Sequence, residues 1–342
     1  RSHRYASFLR LAYEEIILRQ YSRYLIFTVL EPGMEEPMIE INGVNKKFSN
    51  TDALNNVIAA VQEKSIFGLV GTNGAGKSTL LRIMCGVICP DTGSVMVDGE
   101  NVYENPKVKG RICFLSDEAY FFPNATGESM AEYYEILYPH FDEYRFFDLM
   151  ERFQLDRRRK LASFSKGMKR QVLMLLGICA GTKYLLCDET FDGLDPLMRQ
   201  AMKSILAGEL SKRDFSVVIA SHSLRELEDI CDHIGLLHKG GILLSRDLED
   251  MKYHIHKLQC VIRDPEKEKE LLEELNVVQY EKRGSLLTVI ARGTRQEILM
   301  SIEEKDPVFS EVLPLTLEEI FISETEVAGY DIKEIIHDAV KR

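Results

Sequence analysis

The sequence predicts an α/β fold on a mostly parallel sheet, followed by a small α+β domain. Two patterns predict it. From 38 to 245, short runs that are apolar throughout alternate with helical patterns. From 258 onward, the order of elements changes to β-α-β-β-α-β. A strand buried on both faces reads as a continuous apolar run, the pattern of a parallel sheet covered by helices.

In chain order, "MIEINGV" from Met38 is a first strand. Further strands are expected at 65–70, 111–115, 184–188, 215–220 and 234–238, and helices at 77–86, 129–138, 166–180, 196–210 and 223–231. After a connector at 246–257, strand 258–263, helix 266–275, strands 277–281 and 286–291, helix 295–303 and strand 308–312 spell the ferredoxin-like order. Short helices near 316–323 and 331–341 end the chain. The division expected is 1–37 as an extension, 38–245 as the main domain and 246–342 as an accessory domain. The extension reads as leader or added sequence ahead of a natural start at Met38. An amphipathic arm is the alternative, because Leu9, Tyr13, Ile16, Ile17 and Tyr21 fall near helical spacing.

Bulk properties narrow the function. The 342 residues carry a net charge of -11, a poor basis for a nucleic-acid partner. Residues 246–342 supply much of it, with 14 Lys and Arg against 22 Asp and Glu. The best apolar candidate, "YLIFTVL" at 24–30, falls far short of the roughly 20 residues that span a bilayer. The seven cysteines lack metal-site spacing and read as small buried hydrophobes in a reducing compartment.

The chemistry gathers at "GLVGTNGAGKST". Gly71, Thr72, Asn73, Gly74, Ala75, Gly76, Lys77, Ser78 and Thr79 follow a strand and open a helix. Glycines let the backbone approach a phosphate, the helix N-terminus favours an anion, Lys77 supplies a cation, and Ser78 offers a hydroxyl to Mg²⁺. This is G-x-x-x-x-G-K-[ST] in its required context, and it points to a nucleoside triphosphate. In "YLLCDET", Asp188 ends an apolar strand, where it can hold Mg²⁺ through water. Glu189 follows, points the other way by strand alternation, and is placed to polarise an attacking water. His222 ends the run at 215–220 and reads as a contact to the γ-phosphate.

These pieces in this order resemble the nucleotide-binding subunit of an ABC transporter, over about 38–244. The resemblance implies a P-loop NTPase cassette with a helical subdomain, ATP and Mg²⁺ as ligands, and ATP hydrolysis. Residues 71–79 match Walker A, Asp188 and Glu189 match Walker B with its catalytic glutamate, and His222 matches the switch histidine. Asp195 in "GLDP" matches the D-loop, and Phe48 matches the aromatic that stacks on adenine. Ser165 and Gly167 in "FSKGM" match the signature that completes the ATP site of a paired subunit. Ser165 is also a natural N-cap, and Met168, Val172, Leu175, Leu176 and Cys179 make the expected buried stripe of the helix it starts.

Departures accompany the matches. Lys166 and Met168 differ from the family's LSGGQ, and Thr190, Phe191 and Asp192 stand where many members carry Pro-Thr-Ser. Asp117 stands where the family normally has a Gln; it can bind Mg²⁺ through water but cannot donate a hydrogen bond when ionised. On these grounds Asp117→Gln is expected to preserve hydrolysis. Residues 120–147 hold ten of the thirty Tyr and Phe, most of which read as the core of a helical subdomain; the resemblance adds a groove for a membrane partner, with Tyr120, Phe121, Phe122 and Pro123 as the expected contacts. The basic run Arg157–Lys160 reads as a solvated face.

The size, the signature and "PLTLEEIFI" at 314–322 look like single-cassette subunits of ABC-2-type exporters, the bacitracin and lantibiotic group. That implies an integral membrane permease as partner, a homodimer or heterodimer of cassettes, and a place on the cytoplasmic face of the cell membrane. The rivals are a soluble ABC ATPase acting on DNA or ribosomes and a module whose C-terminal domain senses a ligand.

Overall fold

The computed structural model describes residues 38–191 and 194–327. The leader or arm at 1–37, Asp192 and Gly193, and the helix expected at 331–341 lie outside the described residues. The elements are, in order, β1 (Ile39–Phe48), β2 (Thr51–Val61), β3 (Ile66–Val70), α1 (Lys77–Met84), β4 (Thr92–Val97), β5 (Glu100–Asn101), α2 (Pro106–Lys109) and β6 (Ile112–Leu115). There follow α3 (Gly127–Leu137), α4 (Glu143–Arg152), α5 (Lys166–Cys179), β7 (Tyr184–Asp188), α6 (Pro196–Leu210), β8 (Ser216–Ser221), α7 (Leu224–Glu228), β9 (His233–His238) and β10 (Gly241–Asp247). The remainder is α8 (Leu248–Tyr253), β11 (Ile255–Val261), α9 (Pro265–Glu274), β12 (Asn276–Arg283), β13 (Leu286–Arg292), α10 (Arg295–Glu303), β14 (Phe309–Pro314) and α11 (Leu317–Val327).

The central sheet has six strands in the order β10-β9-β3-β8-β7-β6, and β6, β7, β8, β3 and β9 pair in parallel. Every residue of β3, β7 and β8 is buried, as sequences that are apolar except at the ends of β7 and β8 lead one to expect. Because these strands are parallel, the residues just after β3, β8, β7 and β6 emerge along one sheet edge. That edge receives the P-loop, His222, Glu189 and Asp117 in turn. Ligands collect at this edge in open α/β sheets.

A second sheet, β2-β1-β4-β5, is antiparallel and lies outside the sequence expectation beyond its first strand. It buries Ile39, Ile41, Val57, Val61, Val95 and Val97 with the core of the main domain. Asn55 and Asn56 interrupt the apolar pattern of β2, and Ser49 turns the hairpin at a φ of 50°.

Two local expectations are corrected. Cys89 is exposed, while the other six cysteines are buried. Cys89 lies in the turn that precedes β4, where no sheet face covers it. The helix opened by Ser165 has no single buried stripe: every residue from Arg170 to Cys179 is buried, while Met168 is only half-buried. The cause is its position, packed on α3 and α4 as well as on β6. Gly177 permits the close approach, since a Cβ there would fall 2.8 Å from Leu115 Cδ1.

The chain forms two compact units. One comprises residues up to Ser223 with His233–Arg246; the other comprises Leu224–Asp232 with the residues from Asp247 on. In the second unit, β12-β13-β11-β14 form an antiparallel sheet, the spatial order that the β-α-β-β-α-β sequence predicts. Leu258, Leu271, Val289, Ile298 and Ile302 fill its core. The expected connector at 246–257 is occupied by α8 and the start of β11.

Candidate nucleotide site

The site is built on β3. This fully buried strand stops at Val70, and the chain turns through six residues into α1. Gly76 is the N-cap of α1 at a φ of 108°, and a Cβ on it would fall 2.5 Å from Ala53 O. Gly71 is equally closed to a side chain, whose Cβ would fall 2.4 Å from Leu237 O. The loop is therefore a backbone cradle that only these glycines permit. Ala75 N–H donates to Thr72 O at 3.1 Å, while Thr72, Asn73 and Gly74 are exposed and Thr79 is half-buried.

Lys77 is 4% exposed and folds back over the loop. Its Nζ donates to Gly71 O at 2.8 Å and to Thr72 O at 3.3 Å, and lies 3.4 Å from Glu189 Oε1. Ser78 Oγ donates to Asp188 Oδ1 at 3.0 Å. Burial pushes the Asp188 carboxyl above the ordinary range; the Ser78 hydroxyl opposes this, and the charges of Glu189 and Asp117 add to it. A buried carboxylate hydrogen-bonded to a hydroxyl is a hard-oxygen donor pair, so the residues fit Mg²⁺.

Glu189 does not continue the alternation of β7. Its φ is 50°, and its N–H donates to Ala220 O at 2.9 Å. The left-handed turn brings its carboxylate back to Lys77, so Asp188 and Glu189 address consecutive residues of α1. A non-glycine residue in this region is strained, and such strain gathers at functional sites. Glu189 Oε2 also lies 3.6 Å from Nδ1 of His222, which is half-exposed just past β8. Lys77, Ser78, Asp188, Glu189 and His222 thus form one cluster.

The other expected residues make contacts of their own. Phe48 is 45% exposed, with Lys46 Nζ 5.5 Å from its ring centroid. Ser165 caps α5, its Oγ accepting from Met168 N–H at 3.2 Å, and Asp195 caps α6, accepting from Met198 N–H at 2.9 Å. Ser165 and Gly167 make no hydrogen bond to the P-loop among the described residues. Asp117 accepts from Arg170 Nη2 at 3.0 Å. Arg170 is the residue that sequence reading missed. It sits in a run of cations that looks like a solvated helix start, yet it is 4% exposed. The run Arg157–Lys160 is exposed, with Arg157 and Arg158 paired to Glu128.

Comparison with known proteins decides the family. ABC transporter ATP-binding protein YtrB of Bacillus subtilis (strain 168) is 30% identical over 286 residues, 84% of this chain and 97% of that protein. The chain belongs to the ATP-binding subunits of ABC transporters. A family model described as ABC transporter matches residues 54–192, which include the P-loop, the signature and Asp188 with Glu189. The bacitracin transport ATP-binding protein BcrA of Bacillus licheniformis is 26% identical over 305 residues, 87% of this chain and 97% of that protein. Among solved structures, an ATP-binding subunit of an ABC transporter superposes with a TM-score of 0.58 at 23% identity, covering 63% of this chain and 92% of that one. The cassette MJ0796, solved as a dimer in a post-hydrolysis state with ADP and Pi, gives 0.56 at 20% identity, covering 62% and 99%. The fold is the ABC ATPase cassette, and the chain is an ATPase of this family.

Proposed function

We propose that this ABC subunit hydrolyses ATP at the Lys77 cluster and drives a separate integral membrane permease, working as an exporter of a drug, peptide or other small cargo. The observation that carries the reading is the convergence of Lys77, Ser78, Asp188, Glu189 and His222 at the ends of three adjacent parallel strands. Gly71 to Thr79 cradle the phosphates through backbone N–H groups, and Phe48 stacks on the adenine. Lys77 leaves Glu189 and the loop carbonyls to meet the β- and γ-phosphates. Ser78 and Asp188 would hold Mg²⁺, with Asp117 reaching it through water, and the ion would neutralise phosphate charge. Glu189, freed from Lys77, takes a proton from the attacking water. His222 holds the γ-phosphate and registers its loss.

Ser165 and Gly167 make no hydrogen bond to their own P-loop among the described residues, which supports a head-to-tail pair of cassettes. In that pair, Ser165, Gly167 and Asp195 of one copy complete the ATP site of the other. The chain carries every main element, which favours a homodimer over a heterodimer. Exposed aromatics support a membrane partner: Tyr120 is 75% and Phe122 46% exposed, and Phe122 stacks edge-on to Tyr133 at 4.8 Å. Among the described residues no helix is long and apolar enough to cross a membrane, which fits a peripheral subunit on the cytoplasmic face.

Affinity capture from detergent-solubilised membranes tests the reading. It is expected to return an integral membrane permease, and Tyr120→Ser with Phe122→Ser is expected to lose it. Return of ribosomal or DNA-bound proteins in its place would favour a soluble ATPase.

A further inference from the structure

An acid outside the nucleotide cluster holds the end of β1. Asp91 stands just before β4 and is bonded to three consecutive residues of β1. Its N–H donates to Asn45 O at 2.9 Å, its Oδ1 accepts from Lys46 Nζ at 2.7 Å, and its Oδ2 accepts from Lys47 N–H at 2.7 Å. Phe48 follows directly, and Ser49 then turns the hairpin at a φ of 50°. Lys46 Nζ lies over the Phe48 ring, 5.5 Å from its centroid. The Lys46 side chain is 15% exposed, whereas Phe48 is 45% exposed. Lys46 and the Lys47 N–H keep the Asp91 carboxyl below its ordinary range, so Asp91 is ionised at neutral pH. The Phe48 ring is thus open to a ligand while a fixed cation covers one of its faces.

We propose that Lys46, pinned by Asp91, presets the Phe48 ring as the platform for the adenine base and so sets the base-dependent share of ATP affinity. The inference rests on the reading of Phe48 as the adenine platform. An exposed side chain at a hairpin end loses rotamer freedom when a base stacks on it. A cation held over the ring makes part of that restriction before the ligand arrives, and preorganisation of this kind raises affinity. Asp91 supplies the restraint on the cation, because an unpaired lysine on a flexible stem would have its own freedom to lose. The same ion pair confines the effect to the base. The Lys46 ammonium is already engaged by a carboxylate at 2.7 Å, which makes it a poor ligand for the triphosphate. With one face of the ring covered by Lys46, the other face is left for the base. Lys46 is a positioning residue, since it acts on the nucleotide through Phe48.

The test is calorimetric titration of the full chain with two probes, Mg²⁺-ATP and Mg²⁺-tripolyphosphate, which lacks the base. Lys46→Gln is expected to weaken ATP binding about two- to fivefold, the size of an exposed cation–π contact, and to leave tripolyphosphate binding as in the parent. Lys46→Arg, which keeps the cation, is expected to retain most of the ATP affinity. In a Phe48→Ala background, Lys46→Gln is expected to have no further effect on ATP, because the two side chains act as one unit. Equal losses on both probes would assign Lys46 to the phosphates and overturn the proposal. Unchanged or tighter ATP binding in Lys46→Gln, or a loss that persists in the Phe48→Ala background, would overturn it as well. Should Lys46→Gln not fold, Asp91→Asn decides: it unpins the lysine while keeping the shape of the acid, and it must show the same loss on ATP alone. Phe48→Ala that binds ATP as the parent does would contradict the adenine reading itself, which separates the two failures.

Discussion

Replacing Glu189 by Gln removes one negative charge and keeps the shape of the side chain. In the structure that charge faces Lys77 Nζ at 3.4 Å, with the lysine side chain 4% and the glutamate 21% exposed. At an effective dielectric of ~20, the gross attraction at that distance is about 5 kcal/mol. Desolvation offsets most of it, leaving a net of about 1–2 kcal/mol for a charged hydrogen-bonding contact. ATP must break this contact to recruit Lys77, and it must also bring γ-phosphate charge up to Glu189. The variant is therefore expected to bind ATP about 5–30-fold more tightly. It also loses the group that accepts a proton from water, so turnover is expected to fall by about 10²–10⁴-fold. Equilibrium binding of a fluorescent ATP analogue and phosphate release on the same preparation measure both. Turnover like that of the parent would remove Glu189 from its role, and weaker ATP binding would refute the competition for Lys77.

Gly76→Ala places a Cβ 2.5 Å from Ala53 O and 2.8 Å from Leu54 Cδ2 at a φ of 108°. The backbone conformation alone costs about 1–2 kcal/mol, and urea melts should show at least that loss together with weakened ATP binding. Asp188, whose carboxyl is pushed above the ordinary aspartate value of 3.8, holds its proton longer in the folded state than in the unfolded chain. Without nucleotide, stability should therefore fall as pH rises from that ordinary value through the raised one. Asp188→Asn should flatten that slope in urea melts across a pH series, while abolishing Mg²⁺-dependent ATP binding.

The parallel sheet was legible because burial on both faces leaves strands such as Ile66–Val70 and Ser216–Ser221 almost without polar residues. The P-loop was legible because backbone demands as strict as those at Gly71 and Gly76 leave glycine as the residue that fits. The antiparallel sheet was not, since β2 carries Asn55 and Asn56 on its exposed side and its hairpin turns at Ser49. Two features of the site were also hidden. The left-handed turn at Glu189 is a backbone state that a Glu does not announce, and it reverses the direction that strand alternation implies. Arg170 looks like its neighbour Lys169 in sequence, and only the packing of α5 on three sides separates the buried cation from the half-buried one.

Lys77, Ser78, Asp188, Glu189 and His222 are proposed to form one ATP-hydrolysing site. Phosphate release from Mg²⁺-ATP by the purified full chain, set beside Lys77→Ala prepared identically, tests it most directly. Mg²⁺-dependent release in step with ADP formation is expected from the parent, and its loss in Lys77→Ala. Equal release from the two proteins, or none from the parent, would contradict it.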